Sequence, residues 1–395
     1  MGSSLTLFRI FNIDVRVHWS FILILGYGAF IFSSGPAGPI AGALYGILVI
    51  LLLFVCVTLH EFGHALVAQY YKIEVTNITL LPIGGVANLA RMPDKPRQEF
   101  IIALAGPLVN IALALLLVPL ALVAVSLEVR AGMLPVNPMQ ILANMQTPGV
   151  GNLLVYLIGT NILLALFNLL PAFPMDGGRI LRAVLAMGMP RVRATRAAVT
   201  VGRIMAVLFA IWGIFGGGIF LLLIAFFVYV GGGAELEAVE SRAVLKHIKA
   251  RAALPRNATS LYASEQISRA VDLIMNSYQT DYPVKDLSGK FIGVMTRQRL
   301  VQGLKTSGPD GRVVDCMIKA EDVPVCPPDM TLAEVWEKMV GEGSRVVAIK
   351  EDANFLGLLN IDDITEVFQV MGAAQEGTRA TQPESTPSQE RAADV

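Results

Sequence analysis

His60-Glu61-Phe62-Gly63-His64 is the segment of this chain best equipped for chemistry. Residues four apart in a helix share one face, so His60 and His64 can each offer a ring nitrogen to a single metal ion. Glu61 beside them is placed to take a proton from water at that metal. The chain has only four His, so chance rarely supplies this spacing. The nineteen residues before the pair, 41–59, carry no charge, which is a membrane-spanning stretch by length and composition. Ionisable groups inside a membrane are costly and mark functional sites, a proton path or a helix contact being the plainer alternatives. The spacing points to zinc hydrolysis within the bilayer.

A catalytic zinc takes three protein ligands and keeps one position open. His18 lies in the first apolar run and His247 in the charged C-terminal part, so an acidic residue near the membrane is required. Asp176 is the best candidate, bracketed by Pro174 and Gly177-Gly178; its alternative reading is an Asp in an ordinary interfacial turn. Cys56, four residues before His60, reads as a small buried apolar residue. Asn110 and Asn161 read as hydrogen-bonding partners between helices. His18-Trp19 reads as an interface anchor, and the arginines from Arg191 to Arg203 as facing lipid headgroups.

These residues must be positioned by a membrane bundle. The 395 residues are 54% hydrophobic and 16% charged, with a mean hydropathy of +0.60. That composition describes a polytopic α-helical membrane protein with a soluble portion attached. Zero net charge gives no reason to expect a nucleic-acid partner. Three cysteines, an odd and scattered set, do not make a disulfide framework. Apolar segments fall at residues 17–32, 41–70, 100–127, 153–170, 199–215 and 219–230, which gives about six transmembrane helices, the last two short and split by Gly216-Gly217-Gly218. The first run lacks a small-residue cleavage site and reads as a retained span. Basic loops (Lys72 to Arg97, Arg179 to Arg196) alternate with nearly bare ones (33–40, 128–152). Both termini are therefore expected in the cytoplasm, and the protein in the inner membrane of a prokaryote.

Residues 73–89 alternate, are rich in β-branched side chains and contain Gly84-Gly85; they predict a membrane-associated β-hairpin. Gly231-Gly232-Gly233 predicts a flexible joint, after which the composition turns charged. A weak internal repeat follows, with Gly293 and Gly357 at equivalent places 64 residues apart. The expected organisation is a membrane domain over 1–232, a linker over 233–250, modules over 251–310 and 311–372, and a disordered tail over 373–395.

His60-Glu61-Phe62-Gly63-His64, followed by Asn168-Leu169-Leu170-Pro171-Ala172-Phe173-Pro174-Met175-Asp176-Gly177, resembles the site-2 protease family of intramembrane metalloproteases. The second segment matches that family's N-x-x-P-x-x-x-x-D-G pattern at every fixed position. The resemblance covers about residues 1–232, extending to Gly84-Gly85 and to Ala105-Gly106-Pro107-Leu108-Val109-Asn110. It implies that His60, His64 and Asp176 hold zinc, that Glu61 is the general base, and that Asn168 binds substrate or the oxyanion. The repeat looks like a pair of CBS modules, an α/β domain that commonly binds ATP or AMP and often dimerises. The ribose signature of that family, a hydroxyl residue followed three positions later by Asp, is broken in both copies: Thr296 is followed by Arg299, and Asp363 is preceded by Asn360.

The expected function is hydrolysis of a peptide bond in or near the transmembrane segment of another membrane protein, with Gly84 and Gly85 helping to capture the substrate. Regulation by adenine nucleotide through the CBS pair goes with it. The alternative is a CBS-gated metal or ion transporter, which leaves the placing of Glu61 beside His60 without a reason.

Overall fold

A computed structural model describes residues 4–82, 84–89, 93, 95–134, 137, 147–255, 257–352 and 354–380. The chain divides into two compact units, Met1–Val239 and Glu240–Val395.

The first unit begins with a sheet. Strands β1 (Ser4–Ile10) and β2 (Ile13–His18) are joined by Phe11-Asn12, both at positive φ, the backbone of a tight hairpin turn. β2 then runs parallel to β3 (Val75–Leu81), which pairs with β4 (Gly84–Leu89) in an antiparallel hairpin. The order is β1-β2-β3-β4, so among the described residues one edge of β4 is unpaired. Alternation explains the sheet's inner face: Ile13, Val15, Ile78 and Leu80 are buried against Phe62, Ala65 and Ala68. Those three residues sit on α2 (Pro39–Tyr70), the helix that carries His60 and His64.

Among the described residues, five helices are long and apolar enough to cross a membrane. They are α2, α3 (Pro96–Arg130), α4 (Val150–Asn168), α6 (Arg191–Trp212, extended by a π turn over Gly213–Gly217) and α7 (Ile219–Leu245). The first apolar segment instead gives α1 (Phe21–Ser33), only 13 residues. At 1.5 Å per residue it reaches about 20 Å, less than the ~30 Å of a hydrocarbon core. Its start is taken up by β2. The short helix α5 (Asp176–Ala186) follows the Pro-rich turn after α4.

The flexible joint expected at Gly231-Gly232-Gly233 is replaced by helix, since α7 runs straight through it to Leu245. A Cβ on Gly231 would stand 2.9 Å from Cδ of Pro174, so this glycine serves close packing against the turn that carries Asp176. The residues that follow, Ala234-Glu235-Leu236-Glu237-Ala238, are strong helix formers.

In the second unit the order strand, helix, strand, strand, helix occurs twice. The first copy is β5 (Leu261–Tyr262), α8 (Ile267–Asn276), β6 (Asp281–Lys285), β7 (Phe291–Thr296) and α9 (Arg297–Ser307); β8 (Ile318–Lys319) adds to its sheet. The second is β9 (Val325–Cys326), α10 (Leu332–Gly341), β10 (Val346–Glu351), β11 (Asn354–Asn360) and α11 (Ile361–Ala380). Phe291 and Phe355, equivalent in the repeat, stack with centroids 4.1 Å apart and planes 4° from parallel. The tail expected from 373 onward meets α11 as far as Ala380; residues 381–395 lie outside the described part.

Candidate active site

Nε2 of His60 and Nε2 of His64 lie 3.1 Å apart. Each also faces Oδ2 of Asp176, at 3.3 Å and 3.1 Å respectively. Bonds of about 2.0–2.1 Å in tetrahedral array put neighbouring ligand atoms about 3.3 Å apart, so these three atoms trace one face of a zinc tetrahedron. All three residues are buried, and they form the one His/Cys/Asp/Glu metal cluster found among the described residues. Helix α2 supplies the two His one turn apart, and Asp176 opens α5, 112 residues beyond His64. Cys56 is buried but stands outside the cluster.

The donor chemistry also fits zinc. Nδ1 of His64 donates to the carbonyl oxygen of Ile102 at 2.7 Å. A carbonyl only accepts, so the proton sits on Nδ1 and Nε2 is left with its lone pair. Nδ1 of His60 donates to Oδ1 of Asn110 at 2.5 Å. Asn110 donates in turn to Oδ1 of Asn161 at 2.8 Å, and Asn161 to the carbonyl of Leu157 at 2.8 Å. Both asparagines are fully buried. They bridge helices as the sequence suggested, yet they also end on a zinc ligand, a role that spacing alone did not reveal. Gly106 was missed too: a Cβ there would lie 2.2 Å from Nε2 of His64. The clue was the G-x-x-x-N spacing of Gly106 and Asn110, one helical turn.

Glu61 faces the hairpin. A Cβ on Gly85 would stand 2.6 Å from Cγ of Glu61, so only glycine lets β4 approach this closely. Gly84, at φ 138°, occupies backbone space that other residues rarely adopt. Asn168 is the last residue of α4, and its side-chain amide makes no hydrogen bond among the described residues.

Behind the metal cluster lies a buried ionic group. Arg182 of α5 bonds Glu99 of α3 at 2.5 Å and also Glu235 of α7. Arg191, expected at the headgroups, instead reaches Glu99 at 3.0 Å and the carbonyl of Pro93 at 2.6 Å. Burial makes a lone Glu99 costly, and the two guanidinium groups offset that cost.

The residues singled out in the second unit have local partners. Oγ1 of Thr296 accepts from the backbone N–H of Arg299, capping α9. Asp363 accepts from the N–H of Asn360, whose side chain donates to Asp281 at 3.1 Å. Burial first, and then neighbouring carboxylates, push the Asp363 carboxyl up; burial does the same at Asp281.

Comparison with known proteins agrees with this geometry. Residues 48–212 match the family description peptidase family M50, and residues 313–370 match the CBS domain. A zinc metalloprotease of Methanocaldococcus jannaschii is 30% identical over 378 residues, spanning 95% of this chain and 99% of that protein. Rip3 of Mycobacterium tuberculosis is 27% identical over 404 residues, spanning 97% of this chain and 98% of that one. The solved site-2 protease from Methanocaldococcus jannaschii aligns with 59% of this chain and 95% of its own at 32% identity, with a TM-score of 0.40.

Proposed function

This chain belongs to peptidase family M50 as a multi-pass, site-2 type zinc metalloprotease with a C-terminal CBS domain, and from that premise we propose that it cuts transmembrane or membrane-proximal segments of other membrane proteins. The observation that carries the proposal is the seating of Gly85 against Glu61 on a strand whose outer edge is unpaired among the described residues. A transmembrane helix hides its peptide bonds in i→i−4 hydrogen bonds, so a substrate must unwind before it can be cut. The open edge of β4 offers backbone partners for the unwound segment.

His60, His64 and Asp176 would hold zinc, which when bound would polarise the scissile carbonyl and acidify water. Glu61 takes the proton from the attacking water and returns it to the leaving amine. Its short distance from β4 keeps that proton transfer beside the captured backbone. Asn168, whose amide makes no hydrogen bond among the described residues, is the donor assigned here to the developing oxyanion. Nδ1 of His60 and of His64 stay protonated through Asn110 and Ile102, which keeps both Nε2 lone pairs aimed inward. The alternation of basic and bare loops supports cytoplasmic termini and a metal cluster towards the cytoplasmic side, where water is at hand.

The test uses purified full-length protein in lipid nanodiscs with two single-span substrates, one all-Leu and one carrying an Asn-Gly pair within the span. Cleavage inside the membrane segment, at least about tenfold faster for the Asn-Gly substrate, is expected. Equal rates, or cuts only in water-exposed loops, would overturn the proposal.

A further inference from the structure

A cavity of about 240 Å³ touches both Ala87 and Asn88 of β4. Consecutive strand residues point to opposite faces. The cavity therefore reaches β4 from more than one face, and β4 pairs with β3 alone among the described residues, so a segment added to that strand would run beside the cavity. Its volume equals that of about eight waters at ~30 Å³ each, room for a side chain but not for a helix.

The charges around it are unevenly matched. Arg179, Arg182 and Arg191 line the cavity together with Glu99 and Glu235. Glu99 is held by Arg182 and Arg191, and Glu235 by Arg182. Arg179 is exposed and makes no hydrogen bond or ion pair among the described residues. It stands three positions after Asp176, one helical turn from the metal cluster. The cavity thus combines a strand edge, room for one side chain, and a guanidinium without a hydrogen-bond or ion-pair partner among the described residues.

We propose that this cavity is a side-chain subsite for an Asp or Glu of the substrate, whose carboxylate pairs with Arg179. The inference rests on the proteolytic reading above, with the substrate laid along β4. A guanidinium can bind a carboxylate through two parallel N–H donors, which fixes the register of the added strand as well as its charge. The subsite lies close to the cut because Arg179 and Asp176 share the first turn of α5. A hydrogen bond to a charged group contributes about 1.5–3 kcal/mol, or roughly a tenfold to hundredfold preference.

The experiment places Glu, Gln or Lys at successive positions flanking the cut in single-span substrates, using zinc-loaded full-length protein in nanodiscs. At one or two positions, Glu should raise kcat/KM at least about tenfold over Lys. Arg179→Ala should level that ratio and Arg179→Glu should invert it, with zinc content unchanged; Arg179→Lys should restore part of it. An unchanged ratio in the Arg179 variants overturns the subsite. So does a rate loss that is equal for Glu and Lys substrates and appears only with anionic lipid, which would give Arg179 to a headgroup phosphate. Binding of the same substrates to Glu61→Gln protein, read by fluorescence anisotropy, separates the two readings. A Glu preference that Arg179→Glu inverts keeps the subsite even if no substrate is cut.

Discussion

Nδ1 of His60 on α2 meets Oδ1 of Asn110 on α3 at 2.5 Å, and Asn110 is itself held by Asn161 on α4. Three spans thus converge on one imidazole. Partners behind a metal ligand fix its tautomer and ring orientation, and losing them typically costs 10–100-fold in metal affinity. Asn110→Leu should weaken zinc binding by that amount, read by chelator competition. Asn161→Leu, one step further out, should weaken it less. Unaltered affinity in both would reduce the asparagines to helix glue.

Two glycines should separate metal binding from catalysis. In Gly106→Ala the added methyl would lie 2.2 Å from Nε2 of His64 and 2.7 Å from Cε1 of His60, so zinc occupancy should fall. In Gly85→Val the added group meets Cγ of Glu61. Zinc content should then persist while kcat/KM drops about 10²-fold, the scale of a 1 Å misplacement. Metal analysis and cleavage rates on the same preparations check both.

Arg182 is 2% exposed and bridges Glu99 and Glu235. Removing one partner of a buried ion pair costs about 3–5 kcal/mol. Arg182→Met should lower the unfolding midpoint of the membrane domain in detergent by that measure. Glu99→Gln, which keeps hydrogen-bonding capacity for both arginines, should cost less.

Asp281 and Asp363 have carboxyl groups pushed up by burial in the folded state. The folded form therefore holds protons that the unfolded chain has released above its ordinary carboxylate range near pH 3.9. Stability of the CBS region should fall as pH rises from about 4 through the raised values. Asp281→Asn, which retains an acceptor for Asn360, should flatten that fall. Amide hydrogen exchange over residues 281–285 and 354–360 of the full-length protein reads the effect.

The metal cluster was legible because helix periodicity ties His60 to His64, and because the turn at Pro174 and Gly177 offered the single acidic residue with the right setting. The β3–β4 hairpin announced itself by alternation. β2 carried the same signal, Ile13-Asp14-Val15-Arg16-Val17-His18, but its final residues merge into an apolar run and were read as the start of a span. Phe11 at positive φ gave no hint of the turn before it. Gly231 to Gly233 misled for a different reason. Glycine favours flexibility only where nothing packs against it, and here Pro174 stands where a side chain on Gly231 would be, while Val199 lies in ordinary contact with Gly232. The roles of Asn110, Asn161 and Arg179 depend on helices brought together from far along the chain, which no local pattern encodes.

The most direct test of the account is cleavage by Glu61→Gln protein that still carries zinc. Glu61 is not a ligand in the His60, His64 and Asp176 cluster, so the variant should bind one zinc per chain as the parent does. A general base contributes about 10²–10⁴-fold, and cleavage of a single-span substrate in nanodiscs should fall by that factor. Undiminished cleavage by the zinc-loaded variant would contradict the account.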